Sequence, residues 1–256
     1  MSNLWEYRGL IKKMAVTDLK LRYKNSVLGI VWSLLQPLLM LLVLYIVFSS
    51  IFANRSIDHY PLFLLLGIIS WGFMDKATNM SLGSIVGKPN LVKKIYFPRE
   101  VLVISACLTA LMMTALEFVV FGAFMIVFGL LPTLTAILFP AVMAVEFIFV
   151  LGISLGIASL NVRYRDVQWI WGVVMQAGFF LTPIIYSLSM LQGVPFVELL
   201  KYNPMGVIME MLRGVLIYDA LPVAQNVAYI ISISLLALAF GWIVFSKLEP
   251  KFAEEV

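Results

Sequence analysis

Four ionisable residues, Asp75, Lys76, Glu117 and Glu146, sit inside long apolar runs. A charge there is costly unless it is paired or faces a water-filled path. Glu117 and Glu146 lie symmetrically about the turn near Leu131. In an antiparallel helical hairpin each would lie about 14 residues, or roughly 21 Å, below the same end. Lys76, counted from Pro61, falls at a similar depth, so one ammonium and up to three carboxyls are expected to share a layer in the inner half of a bilayer. Such a layer could tie helices together, or it could meet a passing cargo.

Catalysis by an intramembrane enzyme needs paired carboxylates, a histidine, or a nucleophile beside a base, and none assembles along the chain. Cys107 is the single cysteine and His59 the single histidine, so no disulfide framework and no metal cluster is expected. His59, between Asp58 and Tyr60, reads as a solvated loop residue. The nearest approach to a phosphate-cradling loop is Gly83-Ser84-Ile85-Val86-Gly87-Lys88-Pro89. A Walker loop requires four residues between its glycines and a Ser or Thr after the lysine to hold magnesium. Here three residues intervene and proline follows. The chain is therefore expected to bind no cofactor and to hydrolyse no ATP by itself; if it pumps, ATP and magnesium sit on a separate ATPase.

The elements that must carry these groups are membrane helices. Of the 256 residues 62% are hydrophobic and 12% charged, against roughly 45–50% and 25% in soluble domains, and the mean hydropathy is +1.00. A span needs about 20 apolar residues, which leaves room for roughly six. The candidates are residues 27–52, 62–82, 101–128, 134–160, 167–188 and 227–245. The first is too long for the core of a cleavable signal peptide and is expected to be retained. Ahead of it, Leu4, Tyr7, Ile11 and Met14 fall on one side of a helix and Lys13, Thr17, Lys20 and Lys24 on another, the pattern of an amphipathic helix lying in a membrane surface. Gly152 and Gly156 form a GxxxG that suits close helix packing. Pro183, Gly193, Pro195, Pro204, Gly206 and Gly214 interrupt residues 182–222. That density suggests short or re-entrant helices, tolerated where protein or a water-filled cavity covers the freed backbone.

Basic residues orient the spans. With the N-terminus inside, Arg8, Lys12, Lys13, Lys20, Arg22, Lys24, Lys88, Lys93, Lys94, Arg99, Arg163, Arg165, Lys247 and Lys251 all face the cytoplasm, and only Arg55, Lys201 and Arg213 face out. The positive-inside rule then places both termini in the cytoplasm of a multi-pass cytoplasmic (inner) membrane protein. The expected organisation is one transmembrane domain over residues 1–256: 1–26 a cytoplasmic interfacial helix, 27–246 a six-span bundle, 247–256 a cytoplasmic tail.

Three blocks carry a resemblance. The first runs Asp18-Leu19-Lys20-Leu21-Arg22-Tyr23-Lys24-Asn25-Ser26-Val27-Leu28-Gly29 into Trp32-Ser33-Leu34-Leu35-Gln36-Pro37-Leu38. The second is Asn90-Leu91-Val92-Lys93-Lys94-Ile95-Tyr96-Phe97-Pro98-Arg99-Glu100. The third begins Asn161-Val162-Arg163-Tyr164-Arg165-Asp166-Val167, passes through Phe180-Leu181-Thr182-Pro183-Ile184-Ile185-Tyr186 and ends at Tyr202-Asn203-Pro204-Met205. Over nearly its whole length the chain resembles the permease subunits of ABC-type polysaccharide and polyol-phosphate exporters, the family of bacterial O-antigen, capsule and teichoic-acid export.

The resemblance implies a homodimer of six-span subunits over two ATP-binding cassette subunits, a channel along the dimer axis for a lipid-linked polysaccharide, and a cytoplasmic gating helix after the second span. No nucleic-acid partner is expected. Arg22, Lys24, Lys93, Lys94 and Arg99 would crowd the entrance, where their cations suit the diphosphate of a lipid-linked glycan and equally serve as inside-orienting charge. Arg163, Tyr164, Arg165 and Asp166 form a short turn suited to ATPase docking, a role the N-terminal helix could also take. Tyr45, Phe48, Phe179, Phe180 and Tyr186 could line the channel, because sugar ring faces are partly apolar; aromatics in membranes also face lipid. The alternatives are an exporter of a lipid or small hydrophobic molecule and, from another class, an intramembrane lipid or sugar transferase.

Overall fold

A computed structural model describes residues 4–24, 29, 31–51, 57–95, 97–191, 193 and 197–255. Residues 27, 28, 30 and 52 of the first expected span, the loop residue Arg55 and Pro195 lie outside the described residues. In hydrocarbon every backbone N–H and C=O must find a partner within the protein, which a helix supplies from its own segment. The described residues accordingly form helices and turns without strands. In order they are α1 (Arg8–Tyr23), α2 (Val31–Ile51), α3 (Tyr60–Ser84), α4 (Pro89–Lys94), α5 (Glu100–Val127), α6 (Phe139–Arg163), α7 (Val167–Leu181), α8 (Val197–Leu200), α9 (Pro204–Leu216), α10 (Ala224–Leu248) and α11 (Phe252–Glu255).

Among the described residues four stretches are long and apolar enough to cross a membrane: Val31–Ser49, Glu100–Val127, Leu134–Arg163 and Ala224–Lys251. The other two expected spans differ for separate reasons. Helix α3 has the length, at 25 residues, but carries Asp75, Lys76 and Asn79. It can do so because it is the centre of the bundle, packed against α2, α5, α6, α7 and α9, which half-buries Asp75 and Lys76 in protein while Asn79 stays exposed. Helix α7 has 15 residues and stops at Leu181 instead of continuing to 188. Pro183 has no N–H to continue the ladder, and it pushes Thr182 to an extended conformation with ψ 140°.

The α5–α6 hairpin turns at Gly129, whose φ of +76° suits glycine. The N–H of Gly129 donates to Ile126 O and that of Leu130 to Met125 O, at 3.0 and 2.9 Å, closing two orphan carbonyls at the end of α5. Helices α6 and α10 form the most extensive pair. Their contact is backbone on backbone: a Cβ placed on Gly152 would collide with the main chain of Ala237 and Leu238, and one on Gly241 with the carbonyl of Gly152. Gly156 also faces Gly241, so both glycines of the GxxxG are spent on this one partner.

Helix α1 docks on α5, burying Ala15, whose carbonyl accepts from Thr109 Oγ1 at 3.3 Å. Leu4, Tyr7, Ile11 and Met14 all pack on the core. Beyond α10, residues 249–255 do not form a free tail. They turn back so that Phe252 is fully buried with its ring edge-on to Phe245, 5.3 Å between centroids.

Candidate functional site

At one end of the bundle α1, α4, the α6–α7 turn and α11 come together. Helix α4 begins at Pro89, which suits a first helical turn because its missing N–H would be unpaired there anyway. It ends by exposing Lys93 and Lys94. Arg22 and Lys24, at the end of α1, are exposed too. Arg99 is not free: its guanidinium donates to the carbonyl of Glu249 at 3.4 Å and its N–H to the Glu249 carboxylate at 3.2 Å, pinning the start of α5 to the turn after α10. The five expected entrance residues thus divide into four exposed cations and one bound to the protein itself.

Lys88 and Asp18 form an ion pair at 2.7 Å that fastens α1 to the segment leading into α4. Sequence reading passed over Asp18 although it is the only acidic residue of α1, which was the available signal. The turn carrying Arg163, Tyr164, Arg165 and Asp166 is exposed, with the Arg163 guanidinium 5.3 Å from the Tyr164 ring. An exposed, charged and aromatic turn of this kind suits a protein contact.

The buried polar residues do not gather in a single cluster. Lys76 Nζ lies 2.6 Å from both carboxylate oxygens of Glu117, joining α3 to α5. Asp75 accepts instead from Asn79 at 2.8 Å on its own helix. Glu146 accepts from Ser70 Oγ at 2.8 Å, joining α6 to α3, six residues or about 9 Å along α3 from Lys76. Asn161, which opens the third sequence block, donates to Leu82 O at 2.9 Å and ties the end of α6 to that of α3. Trp171 Nε1 donates to Thr78 Oγ1 at 2.9 Å, linking α7 to α3. Every one of these cross-helix bonds ends on α3, which explains why the central helix is the polar one.

Helices α2 and α7 flank α3. Gly178 lets α7 approach so closely that the Trp71 ring lies 2.8 Å from where its Cβ would be. Of the five aromatic lining candidates, Phe180 is 61% and Tyr45 42% exposed. Phe179 packs edge-on to Trp71 and Phe180, Phe48 rests against the core, and Tyr186 folds back to donate to Phe180 O at 3.0 Å.

At the opposite end of α3 lies a cation whose role sequence reading missed. Arg213 on α9 was counted as an orienting charge, yet it is 5% exposed. It donates to the carbonyls of Phe63, Pro183 and Ile184 at 2.8 to 3.3 Å, with its guanidinium 3.3 Å above the Phe63 ring. The signal was Pro183: a helix broken there leaves carbonyls that need a donor. Asn203 caps α9 by accepting from Met205 and Gly206 N–H, and its amide donates to Thr182 Oγ1 at 2.9 Å. The middle and the end of the third sequence block are therefore in contact.

Residues 10–217 match the family described as ABC-2 type transporter. The chain is 29% identical over 254 residues to the O-antigen export system permease protein RfbA of Myxococcus xanthus, covering 99% of the chain and 97% of that protein. It is 32% identical over 247 residues to a protein of the same name from Klebsiella pneumoniae, covering 93% and 91%. It is 21% identical over 245 residues to the polysialic acid transport protein KpsM of Escherichia coli, covering 93% of each.

Proposed function

Since the chain belongs to the ABC-2 type transporter family, we propose that it is the permease subunit of an ATP-driven exporter whose cargo is a polysaccharide of the O-antigen or capsule class. The observation that carries this reading is the end-to-end likeness to O-antigen export permeases, on a helical chain with four apolar stretches long enough to span a membrane.

The finer reading is a homodimer seated on two ATPase subunits that bind ATP and magnesium. The bundle spans six times, with α3 and α7 as the two less apolar spans, short re-entrant helices around α8 and α9, and both termini in the cytoplasm. The cargo is carried on a lipid, as an O-antigen or a teichoic acid would be. Arg22, Lys24, Lys93 and Lys94 capture its phosphates at the entrance. Arg99 serves a different purpose, holding the base of α5 to the turn at Glu249 so that α4 moves as a short gate between two fixed points. The turn Arg163–Asp166 receives the ATPase. The uncovered faces of α2 and α7, which carry the exposed Tyr45 and Phe180, border the dimer axis. Lys76 and Glu117 neutralise one another, so the wall behind that path presents little net charge to a sliding glycan.

Deleting the gene in its host and following the surface polysaccharide tests the reading. The expected result is polymer retained inside the cell and restored to the surface by the chain together with its ATPase. Undiminished surface polymer would overturn it, as would ATP turnover by the purified chain alone.

A further inference from the structure

A cavity of about 1080 Å³ opens at the end of the bundle opposite α4. It lies between the start of α3, helix α9 and the segments on either side of them. Its floor is Arg213 over Phe63, and Arg213 is already consumed by three backbone carbonyls. Around it stand Asp58, Glu210 and Asn226, whose side chains hydrogen-bond to nothing among the described residues, and the hydroxyls of Ser187 and Ser189, 2.9 Å apart. Tyr218, 43% exposed, presents a ring at the same rim and donates to the Asp58 carbonyl at 3.4 Å.

We infer that this cavity is a carbohydrate-binding site for a neutral stretch of glycan, at the far end of the transport path from the basic entrance; this rests on the reading of the chain as a polysaccharide exporter. The volume is slightly above the roughly 300–1,000 Å³ typical of ligand pockets, enough for more than one sugar ring. Carboxylates and a primary amide are planar groups that accept from and donate to vicinal hydroxyls, and an aromatic ring gives a partner for the apolar face of a pyranose. The charge balance selects among glycans. Among the described lining residues two carboxylates without an ion-pair partner stand against one guanidinium whose N–H groups are committed to carbonyls, so negative charge is in excess and a polyanionic segment or a phosphate is disfavoured. A lipid chain is a poor occupant because it would lie against Asp58 and Glu210 without compensating them.

The test uses the full chain with its ATPase in nanodiscs. A cysteine introduced at the rim, Ser189→Cys, is labelled with a water-soluble maleimide; the native Cys107 is fully buried and does not compete. Neutral hexose tetrasaccharides should slow the labelling in a concentration-dependent way, and a sialic acid tetramer should not. Glu210→Gln with Asn226→Ala should raise the concentration needed by at least about tenfold, since bonds to charged groups are the stronger ones, and Asp58→Asn, on a different element, should do the same if the first variant fails to fold. No slowing by any saccharide, equal slowing by the sialic acid tetramer, indifference to the substitutions, or a labelling rate set by lipid composition alone would each overturn the site. A chain that exports glycan yet shows no protection sinks this inference and leaves the exporter reading standing; a host whose surface glycan does not depend on the chain sinks the exporter reading, and this inference with it.

Discussion

The carbonyl of Gly152 on α6 rests against Gly241 of α10, with no space for a Cβ at either position. Membrane helices gain little from hydrophobicity against lipid, so their association depends on such close backbone contact. Gly241→Val should force the pair apart at a cost of about 1–3 kcal/mol, the usual range for overpacking. Thermal unfolding in detergent should show a lower Tm for this variant, whereas Gly122→Ala, at a glycine with open space around its Cβ position, should leave Tm unchanged.

Lys76 and Glu117 stand or fall together. Lys76→Met leaves a carboxylate 4% exposed inside the bundle without its cation, and breaking a buried pair from one side costs about 3–5 kcal/mol. Adding Glu117→Gln should recover most of that loss. Fraction folded against denaturant in mixed micelles, measured for both single variants and the double, gives the coupling; additive effects would mean the pair contributes nothing beyond its members.

Topology is tested by labelling from outside intact cells. Cysteine at position 93, on α4, should be protected from an impermeant maleimide, and cysteine at position 219, beside the far cavity, should react. The reverse pattern would invert the assignment of sides and place the basic cluster outside.

The entrance prediction separates ligands from fasteners. Arg22→Gln with Lys24→Gln removes two exposed cations, each bond to a charged group worth roughly 1.5–3 kcal/mol if direct. Export should fall by at least about tenfold while membrane insertion and ATPase assembly persist. Arg99→Gln should instead lower the Tm, because it removes the guanidinium bond to the Glu249 carbonyl and leaves only the backbone N–H bond to the Glu249 carboxylate. Normal export in the double variant would make Arg22 and Lys24 orienting charges only.

Apolar run length made α2, α5, α6 and α10 legible in the sequence, because a bilayer imposes one length on every spanning helix. Helix α3 was legible by length and its polarity by Asp75 and Lys76, but not its central position, since which helices surround it depends on contacts between distant segments. The end of α7 was misplaced because apolar composition runs past Pro183 while the backbone ladder does not. In the candidate site, residue types announced Arg22, Lys24, Lys93 and Lys94 as a cationic group. Nothing local distinguished Arg99 or Arg213 from them, because what separates a free cation from a fastener is a carbonyl brought in from elsewhere: Glu249 for one, and Phe63, Pro183 and Ile184 for the other.

The bond from the Asn203 amide to Thr182 Oγ1 has an evolutionary corollary. The two positions are 21 residues apart in the chain yet share one hydrogen bond. A lineage that replaces Thr182 with valine leaves the amide only its longer bond to the Leu181 carbonyl while keeping the cap on α9, and one that replaces Asn203 with aspartate keeps the cap but turns the hydroxyl from acceptor into obligatory donor. Substitution at one site therefore changes which residues are tolerated at the other, so the two columns should drift together across distant relatives.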